Sequence, residues 1–599
     1  MNKTIEEKYT WNLTDIFKND EEFYNKIAEL KEELKEIEKF KGILCDTKDN
    51  LYNCYQHYEK ALENFEKIYS YGMFIYHLDM ANQEGIKKFK EVESLSTIFN
   101  TSTSFMMPEI IYADEKKIEE YLSDNKFDRY SCDIKYILEK KAYILSQEKE
   151  ELLANFSEIF SAPENIFDIL TNAEFKFGTL IDEEGKEVQL TDATYTRYLK
   201  SQDEKVRKQA FDLMYNKYKE YINTITEMYL ANVKKTSIIS KLKNYQSSLE
   251  RAVKNDDSTI AVYNSLMAGV EKTLNINHKF ISLKKDLLKK DNYHMYDLYV
   301  NPFEAEKDEI NFEEAKKEVL DALKVLGDEY IDILNTAFNN RWIDVYERPN
   351  KRGGAYSSGV YGVHPFVLMS FNNSKRDVST IAHELGHSIH SYYSNKNQNI
   401  INSDYTILVA EVASTVNEIL LSVYQIENES NKLKKAELIY ELLEMIRATF
   451  YRQSMFAEFE KIIHEKIEKG EMLSAENLNN IYYDLNVKYF GNDITIDKEI
   501  QYEWARIPHF YSDFYVYKYA TGISAAICIA TKILNKEEGF VDKYIKMLSQ
   551  GCTKKSTELL KMVDVDLENI KTYEITADFY NQKITELENI LKDIKTNKI

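Results

Sequence analysis

Proline and glycine are scarce, at 6 and 17 in 599 residues. A chain of this length with so few breakers must run mostly as helices. Cysteine is scarce too. The five stand at 45, 54, 132, 528 and 552, an odd number with no CxxC pair. That argues against a disulfide framework and against a cysteine metal site, and it suits a reducing compartment. Positive charge is in the minority: 78 Lys and Arg against 100 Asp and Glu leave a net charge of −22. Such a surface repels phosphate backbones, so no nucleic-acid partner is expected. The surplus of carboxylates either favours basic peptides or simply keeps the chain soluble. The opening MNKTIEEKYTWNLTDIF has no apolar signal region, and no apolar run approaches the length of a membrane span. A cytoplasmic address without membrane contact is therefore expected.

Against these absences, 44% of residues are hydrophobic and 30% charged, the make-up of a soluble globular protein. The length exceeds what one small core needs, so two or more lobes are expected. Residues 19 to 40 read as an amphipathic helix: Phe23, Ile27, Leu30, Leu34 and Ile37 recur at helical spacing, with Asp20 as the cap. Helical pattern continues over 48 to 105 until Pro108 breaks it. The stretch EFKFGTLIDEEGKEVQL alternates apolar and polar residues around Glu183, Glu184 and Gly185, which predicts a β-hairpin. Thr191 or Asp192 then caps a long helical region reaching to about 290. This divides the chain into a helical region 1–110, a lobe with the hairpin at 111–191, and a catalytic domain at 192–599.

Residues 340 to 375 change character. Glycines fall at 353, 354, 359 and 362 between Pro349 and Pro365, and PFVLMSFN at 365 to 372 predicts a strand. Helices follow at about 377 to 394, capped by Asp377 or Ser379, and at about 404 to 426. No internal repeat is visible, and the lysine-rich tail after 586 reads as frayed or solvated.

The chemistry sits in those two helices. In His383-Glu384-Leu385-Gly386-His387 the histidines are four apart, so both imidazoles share one helix face and can meet one ion. Zinc accepts neutral histidine nitrogens and leaves a position open for water in catalytic sites. Glu384 lies about 100° round the helix from His383, within reach of that water as general base. A third ligand is needed. Glu411 is a lone carboxylate in an apolar helix flanked by Ala410, Ala413 and Ser414, small residues that let a second helix come close. Buried, it needs a metal or a partner; otherwise it sits on an exposed face. Glu418 shares its face seven residues on. It reads either as an acceptor for a ligand histidine or as a surface carboxylate. His390 suits packing or support of the site. Far downstream, His509 precedes Tyr511, Tyr515, Tyr517 and Tyr519. These side chains either donate to the oxyanion of peptide hydrolysis or form a packed aromatic stripe.

Five segments in order resemble oligoendopeptidase F, a branch of the thimet oligopeptidase group of zinc peptidases. They are WNLTDIF (11–17), KRGGAYSSGVYGVHPFVLMSFN (351–372), HELGHSIHSYYS (383–394), VAEVASTVNE (409–418) and RIPHFYSDFYVYKYATG (506–522). The resemblance implies a mainly α fold, a two-lobed helical shell around a deep substrate channel, with a small β-sheet or hairpin near the active site. It implies one Zn²⁺ per chain, held by His383, His387 and Glu411, with Glu384 as base and Glu418 orienting a ligand histidine. It implies that His509 and Tyr519 stabilise the oxyanion, with Tyr511 and Tyr515 as alternates that also contact substrate. It places Gly354, Ala355 and Tyr356 along the channel, where an extended peptide adds as a strand. His364 reads equally as a substrate contact or a structural residue. Short unfolded peptides are the implied substrates, cut internally, by a monomer or loose homo-oligomer. Two further readings stay open on residues alone. One is a zinc exopeptidase whose Arg506 grips a terminal carboxylate. The other is a helical shell that binds peptides without cutting them.

Overall fold

The computed structural model describes residues 5–303 and 309–596. Helices dominate it. The first, α1 (Asp20–Glu38), buries Phe23, Ile27, Leu30, Leu34 and Ile37, the stripe read from the sequence. Its cap is Asn19, one residue earlier than Asp20: the Asn19 side chain accepts the Glu22 N–H at 2.9 Å. Next come α2 (Lys48–Leu78) and α3 (Gln83–Thr103). The helical run already ends at Thr103. Pro108 is not the breaker, because it falls in the first turn of α4 (Met106–Tyr112). An N–H there would have no acceptor, so proline costs little. The hairpin forms from β1 (Thr179–Ile181) and antiparallel β2 (Glu187–Gln189), and Gly185 supplies a φ of 77° at its turn. Thr191 caps α5 (Asp192–Leu199).

Three strands precede the chemistry: β3 (Ile343–Tyr346), β4 (Tyr356–Ser358) and β5 (Phe366–Phe371). The sheet order is β3-β5-β4, with β3 parallel and β4 antiparallel to the central β5. The sequence reading found β5 but not β3. In β3 a buried aspartate interrupts the apolar run. Asp344 has no exposed side-chain surface and pairs with Lys351 at 2.5 Å and Arg348 at 2.7 Å. A buried carboxylate is tolerated when it is paired this way.

Helix α6 (Lys375–Asn397) follows β5. Its cap is Ser374, not Asp377 or Ser379; Asp377 is the reciprocal partner of Ser374 in a capping box. Helix α7 (Ile407–Asn428) comes next. Among the described residues α7 is the one helix that by length and composition is apolar enough to cross a membrane, but 61% of that window is buried inside the protein. Glu411 and Glu418 divide its sequence into shorter apolar runs, which hid this from inspection. The last helix runs Ile570–Thr596, so residues 587–596 are helical rather than frayed, and all but Leu587 are at least partly solvated.

The described residues form two compact units. One comprises 5–142, 309–427 and 529–565; the other comprises 143–303, 428–528 and 566–596. In the first, Trp11 packs on Phe74 and Phe366, with ring centroids 4.9 and 5.9 Å away. Its indole N–H donates to the Trp342 and Val367 carbonyls at 3.0 and 2.8 Å. The WNLTDIF segment thus ties the sheet to α2. The second unit centres on Trp504, Tyr229, Phe459 and Phe510. Aromatic faces of this size supply much of the buried apolar area.

Candidate metal centre

Within the first unit, α6 and α7 cross at Gly386. A Cβ there would lie 2.5 Å from Ser414 Cα and 2.8 Å from the Ala413 carbonyl oxygen. Only glycine permits that approach, and small residues face it from α7. The crossing brings Glu411 to the histidines. His383 Nε2 lies 3.2 Å from His387 Nε2 and 3.9 Å from Glu411 Oε2. One ligand-type atom from each of the three residues falls within 4.8 Å of the others. Among the described residues no other trio of His, Cys, Asp or Glu does this.

Glu418, two turns beyond Glu411, accepts the His383 Nδ1–H at 2.5 Å and the Ser379 hydroxyl at 3.2 Å. The bond holds the His383 proton on Nδ1 and leaves Nε2 with its lone pair toward Glu411 and His387. Burial pushes the His387 pKa down to about 3, and the neighbouring His383 adds to this, so His387 is neutral. Burial also works against a charged His383. The hydrogen bond and charge of Glu418, with Glu384 and Glu411, outweigh it and raise the pKa. The carboxylates around the two imidazoles therefore favour positive charge at this point. Two imidazole nitrogens 3.2 Å apart repel unless a proton or cation serves both. Two nitrogens, one carboxylate oxygen and an open side match the donor set of a catalytic zinc site.

Glu384 is 7% exposed and lies against β4, where the Ser357 backbone reaches it. Burial lifts its pKa to about 7; His383 opposes this, and Glu411 and Glu418 add to it. His390 is buried and stacks on Tyr405 at 3.6 Å, and the neighbouring His387 adds to the effect of burial in lowering its pKa.

The trio opens onto a cavity of about 730 Å³ that Ala355 and Tyr356 also line. The Tyr356 hydroxyl turns aside to His77 Nδ1 at 2.8 Å, and Arg352 donates to His77 Nε2 at 2.9 Å. Gly354 has a φ of 88°, a conformation suited to glycine. His364 is not among the residues lining the cavity. It stacks on Trp342 at 4.8 Å, and its two nitrogens meet the Pro365 carbonyl and Asp15.

In the second unit, Tyr519 Oη lies 3.4 Å from His509 Nε2, and the Tyr515 ring lies 5.8 Å from the His509 ring. Burial, then Arg452, lowers the His509 pKa. Tyr511 is 6% exposed and stacks on Phe167 at 4.6 Å, a packing position. Arg506 is paired with Asp192 at 3.0 Å.

Sequence reasoning missed the α2 side chains on the cavity wall, among them Leu62, Glu66 and Tyr69. They lie some three hundred positions from the histidines, and only helical periodicity marks them. It also missed Gly386 as the crossing point, although a glycine inside a helix is itself a sign of close approach.

The profile for Peptidase family M3 matches residues 197–578 of this chain. The chain belongs to peptidase family M3. A second profile, Oligopeptidase F, matches residues 109–177. This M3 chain is 38% identical to Oligopeptidase PepF of Bacillus subtilis, over 98% of its own length and 88% of the relative's. It is 36% identical to an oligoendopeptidase F homolog of Borreliella burgdorferi, over 98% and 99%. The crystal structure of oligoendopeptidase-F from Enterococcus faecium matches with a TM-score of 0.72 at 32% identity, covering 96% of this chain and 99% of that one. This M3 protein is thus an oligoendopeptidase F-type metallo-endopeptidase with a mainly helical fold.

Proposed function

We propose that this metallo-endopeptidase uses zinc and hydrolyses internal bonds of short, unfolded oligopeptides. The observation that carries the reading is the trio of two imidazoles and one carboxylate gathered within 4.8 Å beside Glu384. His383, His387 and Glu411 would hold one ion per chain. Zinc bound there supplies a Lewis acid for the scissile carbonyl and makes water easier to deprotonate. Glu384 takes the proton from the attacking water and passes it to the leaving amine. Glu418 keeps the His383 proton on Nδ1 and so keeps Nε2 available. His509 and Tyr519 donate to the oxyanion that develops. Tyr515 stacks on His509 and contacts substrate with it. The backbone of Gly354, Ala355 and Tyr356 serves an extended peptide, through hydrogen bonds that ignore side-chain identity. A cavity of this size accepts a segment of extended chain and not a folded domain. A cytoplasmic address and a monomeric or loosely associated state complete the reading.

The test uses a quenched fluorescent peptide blocked at both termini. Chelator removes activity, Zn²⁺ restores it, and the peptide is cut internally although its C-terminus is amidated. Glu384→Gln retains the metal and lowers kcat by about 10²–10⁴. A variant as fast as the parent assigns the base elsewhere.

A further inference from the structure

One wall of the metal-bearing cavity has no part in the chemistry above. It comes from α2, where Leu62, Phe65, Glu66 and Tyr69 face the space shared with His383 and Glu384. Glu66 is the only ionisable carboxylate α2 contributes to it. One of its oxygens accepts the Tyr361 N–H at 3.0 Å. Among the described residues that is its one hydrogen bond, and no ammonium or guanidinium stands within ion-pair distance of it. Lys67, the next residue, instead faces Gly362: a Cβ there would lie 3.2 Å from Lys67 Nζ. Burial pushes the Glu66 carboxyl up to about 7 against the pull of the Tyr361 N–H; Asp404 and Glu63 add to the rise and Lys67 opposes it.

Apart from the two histidines of the trio, every ionisable side chain with a formal charge that lines the cavity is a carboxylate. Glu66, Glu384, Asp404 and Glu411 line it, and no lysine or arginine does. A half-buried carboxylate with one hydrogen bond and no counter-charge is held at a cost. A cation delivered to it gains a charge-assisted hydrogen bond and cancels that cost. The rest of the α2 wall is apolar or aromatic, which suits the methylene stem of a long basic side chain.

We infer that Glu66 is a specificity-determining residue that receives the cationic side chain of a lysine or arginine in the bound peptide. This rests on the metallopeptidase reading of the same cavity and adds a substrate class to it: basic oligopeptides are preferred at one position along the chain. The entering ammonium takes the Glu66 oxygen that Tyr361 leaves open. Tyr69 and Phe65 flank its stem.

The experiment uses quenched peptides, acetylated and amidated at their ends so that side chains carry the only charges. Each position is scanned with lysine against norleucine, which has the same carbon chain without the charge. For the parent enzyme, one position shows kcat/KM about tenfold higher with lysine, mainly through KM. Glu66→Gln keeps an acceptor for the Tyr361 N–H, and it brings that ratio near one with bound metal unchanged. Glu66→Lys turns the preference toward glutamate at the same position. An equal lysine preference in the parent and Glu66→Gln overturns the inference, as does a parent with no preference at any position. Cleavage of both peptides that survives chelation overturns the metal reading and this one with it. Cleavage that is chelator-sensitive but indifferent to lysine overturns only this one.

Discussion

Gly386→Ala is the sharpest test of how the site is built. The added methyl carbon would sit 2.5 Å from Ser414 Cα, 2.8 Å from the Ala413 oxygen and 2.9 Å from Ser414 N. Carbon atoms rest at about 3.5–4.0 Å, so the overlap is about 1 Å or more. All three obstructing atoms are backbone, and no side chain can rotate to make room. The helices α6 and α7 must therefore separate by about that distance. Glu411 travels with α7, and its present 3.9 Å from His383 Nε2 leaves no slack. An isolated helix would gain about 0.5–1 kcal/mol from this change. Here overpacking costs about 1–3 kcal/mol, so the net effect is destabilising. The site suffers more than the fold, because a 1 Å misplacement of a catalytic group costs about a hundredfold in rate. We expect kcat/KM to fall about a hundredfold and bound zinc to drop well below one per chain, while the circular-dichroism helix content stays constant. Metal analysis and peptide hydrolysis on the same sample decide it. A Gly386→Ala enzyme with full metal, parent activity and unchanged melting temperature refutes the claim that glycine sets the helix spacing.

Two other perturbations follow from the same geometry. Glu418→Ala removes the acceptor 2.5 Å from His383 Nδ1, so zinc affinity should fall about 10–100-fold in a chelator competition, with Glu384 still in place. His77 tests a pH dependence away from the metal. Burial, then Arg352, holds its pKa at about 4, below the ordinary 6.5. Between those values the unfolded chain binds the extra proton, so this stability is present above pH 6.5 and is lost as pH falls toward 4. Between pH 7 and pH 5 the parent should lose on the order of 1–2 kcal/mol more than His77→Gln, read as the difference in urea midpoints; equal losses would show that His77 does not titrate as assigned.

Much of this protein was legible in short stretches of sequence. The stripe of α1, the hairpin at 179–189, the strand at 366–371 and the shared face of His383 and His387 all arise within a few residues, where the period of the backbone sets which side chains point together. Helix ends were less legible. At α6, Ser374 and Asp377 are both good caps, and only the reciprocal bonds between them show which one closes the helix.

What lay beyond reach was every feature that depends on chain segments meeting. The partner for Asp344 in β3, the anchoring of Trp11 under the sheet and the exposure of Glu66 on the cavity wall have no local signature. Residue types and spacing put Glu411 on an apolar helix; the 3.9 Å to His383 came from the Gly386 crossing. Side-chain direction within an element follows from backbone geometry, which is local. The distance between elements follows from which buried surfaces fit, and that is decided only when the whole unit packs.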